Sequence, residues 1–179
     1  NLPNNGATLA KVVQQFAARV SSDLVQWIER NTLFPCTMVD RIVPATTDED
    51  RAHLAEHLGL SDEGVVVAEP FTQWVIEDRF VDGRPEWEAV GAELVSSVDE
   101  YENIKLRLLN GSHSTLAYAG YLAGFDYISE VMGEPAFDNL ISRFMECEAG
   151  DTLSVPQGFD LPHYQSQLRE RFRNTALKH

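Results

Sequence analysis

Residues 104–125, IKLRLLNGSHSTLAYAGYLAGF, form the longest apolar stretch of the chain, and Lys105, Arg107, Asn110 and His113 interrupt it. The periodicity predicts a core helix, with residues 99–123 read as one helical element. Polar groups carried into a core cost free energy unless they are paired, so these interruptions need a reason. At about 100° per residue, Asn110 lies roughly 140° around the helix from Lys105, and His113 falls between them. All three can therefore point into one concavity. Glu102 precedes Lys105 by three residues, within reach on a helix surface.

Two readings of the trio stand side by side. In the structural one, Lys105 carries its charge to solvent on an aliphatic stem, Asn110 caps a helix break before Gly111, and His113 satisfies a core hydrogen bond. In the chemical one, a desolvated lysine loses its proton more easily and serves as a general base. An amide donates to a developing alkoxide, and a histidine orients either group or the reacting oxygen.

Outward from this stretch the pattern is mostly helical. After the turn at Pro3–Gly6, ATLAKVVQQFAARV places Leu9, Val12, Val13, Phe16, Ala17 and Val20 on one side of a helix, and Ser21-Ser22-Asp23 caps a second short helix through Trp27. In TTDEDRAHLAEHLGL, residues 46–60, a threonine caps, three acids fill the first turn and Gly59 stops the helix. Between residues 35 and 95 lies a small β element: an extended FPCTMVDRIVP, then strands in VVVAEPF, TQWVIED and WEAVGAELV separated by the turn signals EP and DGRP. Helices return at 99–123, 125–132, 135–147 and 161–173. The fold class expected is mainly α with this small sheet.

Composition narrows the function. The net charge of −14 over 179 residues excludes a basic face for nucleic acid and disfavours an anionic membrane surface. Two cysteines make no disulfide framework and point to a reducing, cytoplasmic compartment. No signal peptide is visible, and the charges inside 104–125 rule it out as an ordinary membrane span. The eleven glycines nowhere form GxGxxG or GxxxxGK[ST], so this stretch of chain has no dinucleotide or phosphate-loop signature of its own. HLAEH at 53–57 matches the H-x-x-E-H pattern of zinc hydrolases. The helix around it has only a narrow apolar stripe, however, so it reads as a solvated surface helix and no metal is expected.

K-x4-N-x2-H, here KLRLLNGSH, resembles the signature of the polyol-specific long-chain dehydrogenase/reductases. NLPNNG, FPCTMVDRIVP, EPFTQWVIED, GRPEWE and LLNGSHSTLAYAGYLAG resemble blocks of that family in the family's order, across nearly the whole chain. The resemblance implies a Rossmann-type NAD-binding domain followed by a multi-helical substrate domain of the 6-phosphogluconate dehydrogenase C-terminal type. Residues 1–179 look like the second part alone: a fragment that opens at Asn1 inside a turn and stops before the family's C-terminus. Its own N-terminal Rossmann domain is then its partner, and NAD or NADP is held mainly there.

Carried over residue by residue, the resemblance makes Lys105 the general acid/base, Asn110 and Asn1 the amides that polarise the reacting oxygen, and His113 a residue that places it. Val39 and Asp40 fall where the family contacts the polyol chain, and Glu102 could pass protons between Lys105 and solvent. The function implied is interconversion of a keto sugar acid and its alcohol, of the fructuronate/D-mannonate type, with mannitol 2-dehydrogenase chemistry as the alternative. From a different class, a non-catalytic helical interaction domain would explain the polar insertions structurally. Arg107 could meet a substrate carboxylate, but helix spacing turns it about 200° from Lys105.

Overall fold

The protein is described by a computed structural model covering residues 2–178. Its contacts divide it into two compact units, residues 1–40 with 73–103 and residues 41–72 with 104–179.

The first unit holds helices α1 (Asn5–Val20) and α2 (Ser22–Asn31), the strands and most of α4 (Asp99–Ile104). Strand β1 (Thr37–Asp40) pairs antiparallel with β2 (Gln73–Glu77), and β2 pairs parallel with β3 (Ala92–Val95). Met38, Val75, Val98 and Cys36 form its buried core. The start of α1 is sewn to the edge of β1 by one side chain: Asn5 donates Nδ2 to the Thr37 carbonyl at 2.6 Å and accepts the Thr37 N–H at 3.0 Å. That closes an edge which would otherwise present unpaired backbone.

Gly6 makes the approach possible, because a Cβ there would meet the Phe34 carbonyl oxygen, lie 2.8 Å from the Pro35 carbonyl carbon and 2.9 Å from the Cys36 nitrogen. These are backbone atoms that cannot swing aside. Gly6→Ala is therefore expected to destabilise the unit by about 1–3 kcal/mol, read as a lower urea midpoint at unchanged slope. On α1 only Ala17 of the expected apolar side is buried, while Leu9, Val12, Phe16 and Val20 are exposed.

The second unit is helical. Its helices are α3 (Asp48–Leu58), α5 (Gly111–Ala123), α6 (Ile128–Val131), α7 (Pro135–Arg143) and α8 (Leu161–Phe172). Leu108, Leu116, Ile141, Met145, Leu168 and Phe172 are wholly buried at its centre. The caps of α3 are those the sequence predicts. Thr47 accepts from the Asp50 N–H, Asp50 accepts from the Thr47 N–H at 2.8 Å, and Gly59 ends the helix at φ 69°. The bonds from the Thr47 N–H and hydroxyl hold the Asp50 carboxyl below the usual carboxylate range. Gly120 lets α5 close on α6, since a Cβ there would strike Val131, and Gly124 caps α5 at φ 92°.

Two expectations change. VVVAEPF forms no strand: Val66 is exposed, and Glu69 bonds to Ile42 through its backbone N–H and its side chain instead of entering a ladder. Residues 99–123 are helical throughout but not uniformly α. Lys105–Asn110 is a π-helical segment, and a second one, Phe144–Ala149, follows α7.

Candidate active site

The first π-helical segment is the polar stretch itself. The Gly111 N–H reaches back five residues to the Leu106 carbonyl. A turn closed by bonds over five residues holds more than four, so five steps go once round and only slightly beyond. Asn110 therefore lies nearly above Lys105 instead of 140° from it. His113, three residues further along regular α-helix, follows on the same side. Lys105, Asn110 and His113 are each half-buried, not sunk in the core. There is no helix break before Gly111 for Asn110 to cap, and among the described residues no hydrogen bond engages its side-chain amide.

Long-range packing sustains this geometry. Gly111 faces the Phe144 ring where the two π-helical segments meet, and a Cβ there would lie 3.4 Å from the ring edge. Arg107 donates to the Thr152 carbonyl at 2.8 Å and to its hydroxyl at 2.6 Å, so it braces the outer side of the segment. The second π-helical segment is held in the same way, by the Gln165 side chain donating to the Met145 carbonyl at 2.7 Å. Ser112, between Asn110 and His113, is fully buried, and its hydroxyl has no hydrogen-bond partner among the described residues. π-Helical insertions and unsatisfied buried polar groups both occur preferentially at functional sites. His113 stands 6.1 Å, centre to centre, from the Phe172 ring and lines a cavity of about 190 Å³ with Tyr121, Phe125, Tyr127 and Val131.

The remaining predicted residues belong to the first unit. Val39 and Asp40 alternate along β1: Val39 is 45% exposed and faces the same side as Trp74, whereas Asp40 is 0% exposed and pairs across with Gln73. Neighbours on a strand point to opposite faces, so one ligand cannot meet both side chains. Gln73 in turn donates to Glu93 at 2.8 Å. Burial and the carboxylates of Glu93 and Glu100 push the Tyr101 phenol above its ordinary range, so it keeps its proton. Both carboxylate oxygens of Glu102 accept the Asn4 N–H, at 3.2 and 3.0 Å, which fixes the entry to α1. Asn1 lies outside the described residues.

Sequence reasoning missed the support around Glu69. Glu69 accepts from Arg171 at 2.7 and 2.9 Å and from the Ile42 N–H at 2.5 Å, while its own carbonyl accepts from Arg41. The Arg171 guanidinium stacks 4.0 Å above the Phe71 ring. The local signal is an acid set in an otherwise apolar VVVAEPF, where EP also spells a turn.

Residues 97–179 match the family model of the mannitol dehydrogenase C-terminal domain, and residues 1–89 match that of the mannitol dehydrogenase Rossmann domain. The chain belongs to the mannitol dehydrogenase family.

Among particular relatives, the chain is 51% identical over its full length to the Escherichia coli protein named uncharacterized oxidoreductase YdfI, covering 37% of it. It is 48% identical to the E. coli D-mannonate oxidoreductase, with the same coverages. The solved structure of Pseudomonas fluorescens mannitol 2-dehydrogenase, in ternary complex with NAD and D-mannitol, superposes with a TM-score of 0.83 at 42% identity, over 97% of this chain and 35% of that one. The chain thus spans just over a third of the length of these relatives.

Proposed function

We propose that this chain contributes the acid/base half of an NAD(P)-dependent secondary-alcohol dehydrogenase acting on a sugar acid or sugar alcohol. The observation that carries the reading is the π-helical segment, which stacks Lys105, Asn110 and His113 along one side and leaves the Asn110 amide unengaged. In this reading residues 1–89 close a Rossmann-type domain and residues 97–179 open the catalytic one. No glycine-rich dinucleotide turn occurs in the sequence, so the cofactor would be held mainly by parts of the protein beyond these residues. Bound nicotinamide supplies the hydride acceptor or donor.

During alcohol oxidation the carbon gives up hydride, and neutral Lys105 takes the hydroxyl proton on Nζ. Asn110 donates an N–H to the oxygen as charge builds on it, and His113 holds that oxygen in place. Asn1 supplies the second amide. Carbonyl reduction runs the same proton back from Lys105. Glu102, one turn earlier, exchanges the proton with solvent through lone pairs that its bond to Asn4 leaves open. Of the two β1 residues, Val39 is the one exposed to a substrate chain, whereas Asp40, 0% exposed, supports the strand from inside its unit. Such an enzyme works in the cytoplasm; no described helix is long and apolar enough to cross a membrane.

For the substrate, a keto sugar acid ranks first, on the 48% identity to a D-mannonate oxidoreductase. The likeness to a mannitol 2-dehydrogenase favours the neutral pair mannitol and fructose as the second reading. Arg107 is committed to Thr152, so a substrate carboxylate must be met by another cation. The test is a panel of fructuronate, tagaturonate, fructose and mannitol, each with both nicotinamides, on the longest natural polypeptide carrying this chain. Turnover should be highest with fructuronate and NADH. Turnover of fructose and mannitol alone would install the second reading, and no turnover of any would remove both.

A further inference from the structure

Helix α3 carries two histidines that the proposed reaction does not use. His53 and His57 sit one turn apart on a helix with no buried residue, and both are exposed. Their ring centres are 4.4 Å apart with planes inclined by 55°. The His57 Nδ1 lies 3.0 Å from the His53 carbonyl oxygen. A carbonyl only accepts, so Nδ1 donates in this contact and Nε2 is the ring nitrogen left for a metal. The same backbone bond fixes the tautomer and aim of many metal-ligating histidines.

We propose that His53 and His57 form a two-histidine surface site for a transition-metal dication of the nickel or copper class. The ring spacing carries the argument. A metal–nitrogen bond of about 2.0–2.1 Å, plus about 1.1 Å from nitrogen to ring centre, puts each centre about 3.2 Å from the ion. Two rings at a right angle about the ion then have centres about 4.5 Å apart, against about 5.2 Å at the tetrahedral angle. The observed spacing fits neighbouring positions of a square-planar or octahedral ion, as Cu²⁺ and Ni²⁺ prefer, better than tetrahedral zinc.

Among the described residues no three His, Cys, Asp or Glu side chains converge, so water completes the coordination. The third protein ligand of a catalytic zinc is absent among these residues, and the site binds without hydrolysing. Glu49, one turn before His53, and Glu56 add negative field along the helix. The ion also has something to stabilise. Helix α3 is held by its capping box and its glycine stop, with no buried side chain. A clip across one turn binds the helical form alone and slows its local opening.

Calorimetric titration of the untagged protein with NiCl₂ and CuCl₂, followed by hydrogen exchange on α3, tests this. One ion should bind per chain, copper more tightly than nickel. At nickel 100-fold above Kd, the α3 amides that exchange by local opening should slow by about 100-fold. His53→Ala and His57→Ala should each weaken binding by at least about tenfold and abolish the slowing, while His163→Ala leaves both intact. Unchanged affinity in either α3 variant, loss with His163→Ala, or saturation without slower exchange in α3 would each overturn the site. The last measurement needs no variant, and His57→Gln repeats the first if the alanine change disturbs the helix.

Discussion

Lys105→Ala, made in the longest natural polypeptide carrying this chain, is expected to lower kcat by about 10²–10⁴-fold, the usual worth of a general acid/base. Its unfolding midpoint should move far less than its kcat, because Lys105 is half-exposed. The pH dependence has a definite sign. Oxidation needs the neutral amine, so its rate rises with pH until the group is deprotonated. Reduction needs the ammonium and falls over the same interval. In Lys105→Ala both limbs should flatten. Retained turnover would remove the lysine from the chemistry. Unfolding with no separate kinetic defect would favour the non-catalytic helical domain.

The second large effect is on stability. Glu69 and Arg171 are 102 residues apart in sequence, and their side chains are only 2% and 7% exposed. Truncating one partner of a buried ion pair takes a counter-charge away from the other, at a cost of about 3–5 kcal/mol. Glu69→Ala should cost at the upper end, since it also strips the Ile42 N–H of its acceptor. For a chain of this size the loss corresponds to a fall in Tm of about 6–20 °C. Replacing both partners, as Glu69→Met with Arg171→Leu, should recover part of the loss, because two apolar groups leave no orphaned charge. Recovery should stay incomplete, because Ile42 remains unpaired. A double variant no better than the worse single one would mean that the pair is not the energetic unit drawn here.

Much of this was legible in the sequence wherever the physics is local. Thr47, Asp50 and Gly59 delimit α3 as their side chains dictate, since a cap needs partners only three or four residues away. The change from period 3.6 to short β-rich runs and back located the sheet within a few residues. Lys105, Asn110 and His113 were identifiable as a group, but α-helical spacing gave them the wrong angular relation. A π-helical segment has no local signature of its own. It packs here beside the Phe144 ring, with Arg107 tied to Thr152, 45 residues away.

Distance in sequence is what separated the legible from the illegible. Composition, periodicity and caps determined a mainly helical protein with a small sheet, and the motif determined which polar residues to suspect. The tertiary structure alone decided that VVVAEPF would stay out of the sheet, that Glu69 would bind Arg171, and that Val39 and Asp40 would face opposite ways. It also turned KLRLLN into a π-helical turn that stacks Asn110 over Lys105. A strand needs a neighbour, a buried charge needs a counter-charge, and a π-helical turn needs outside support. None of these partners lies within the few residues that a local pattern can read.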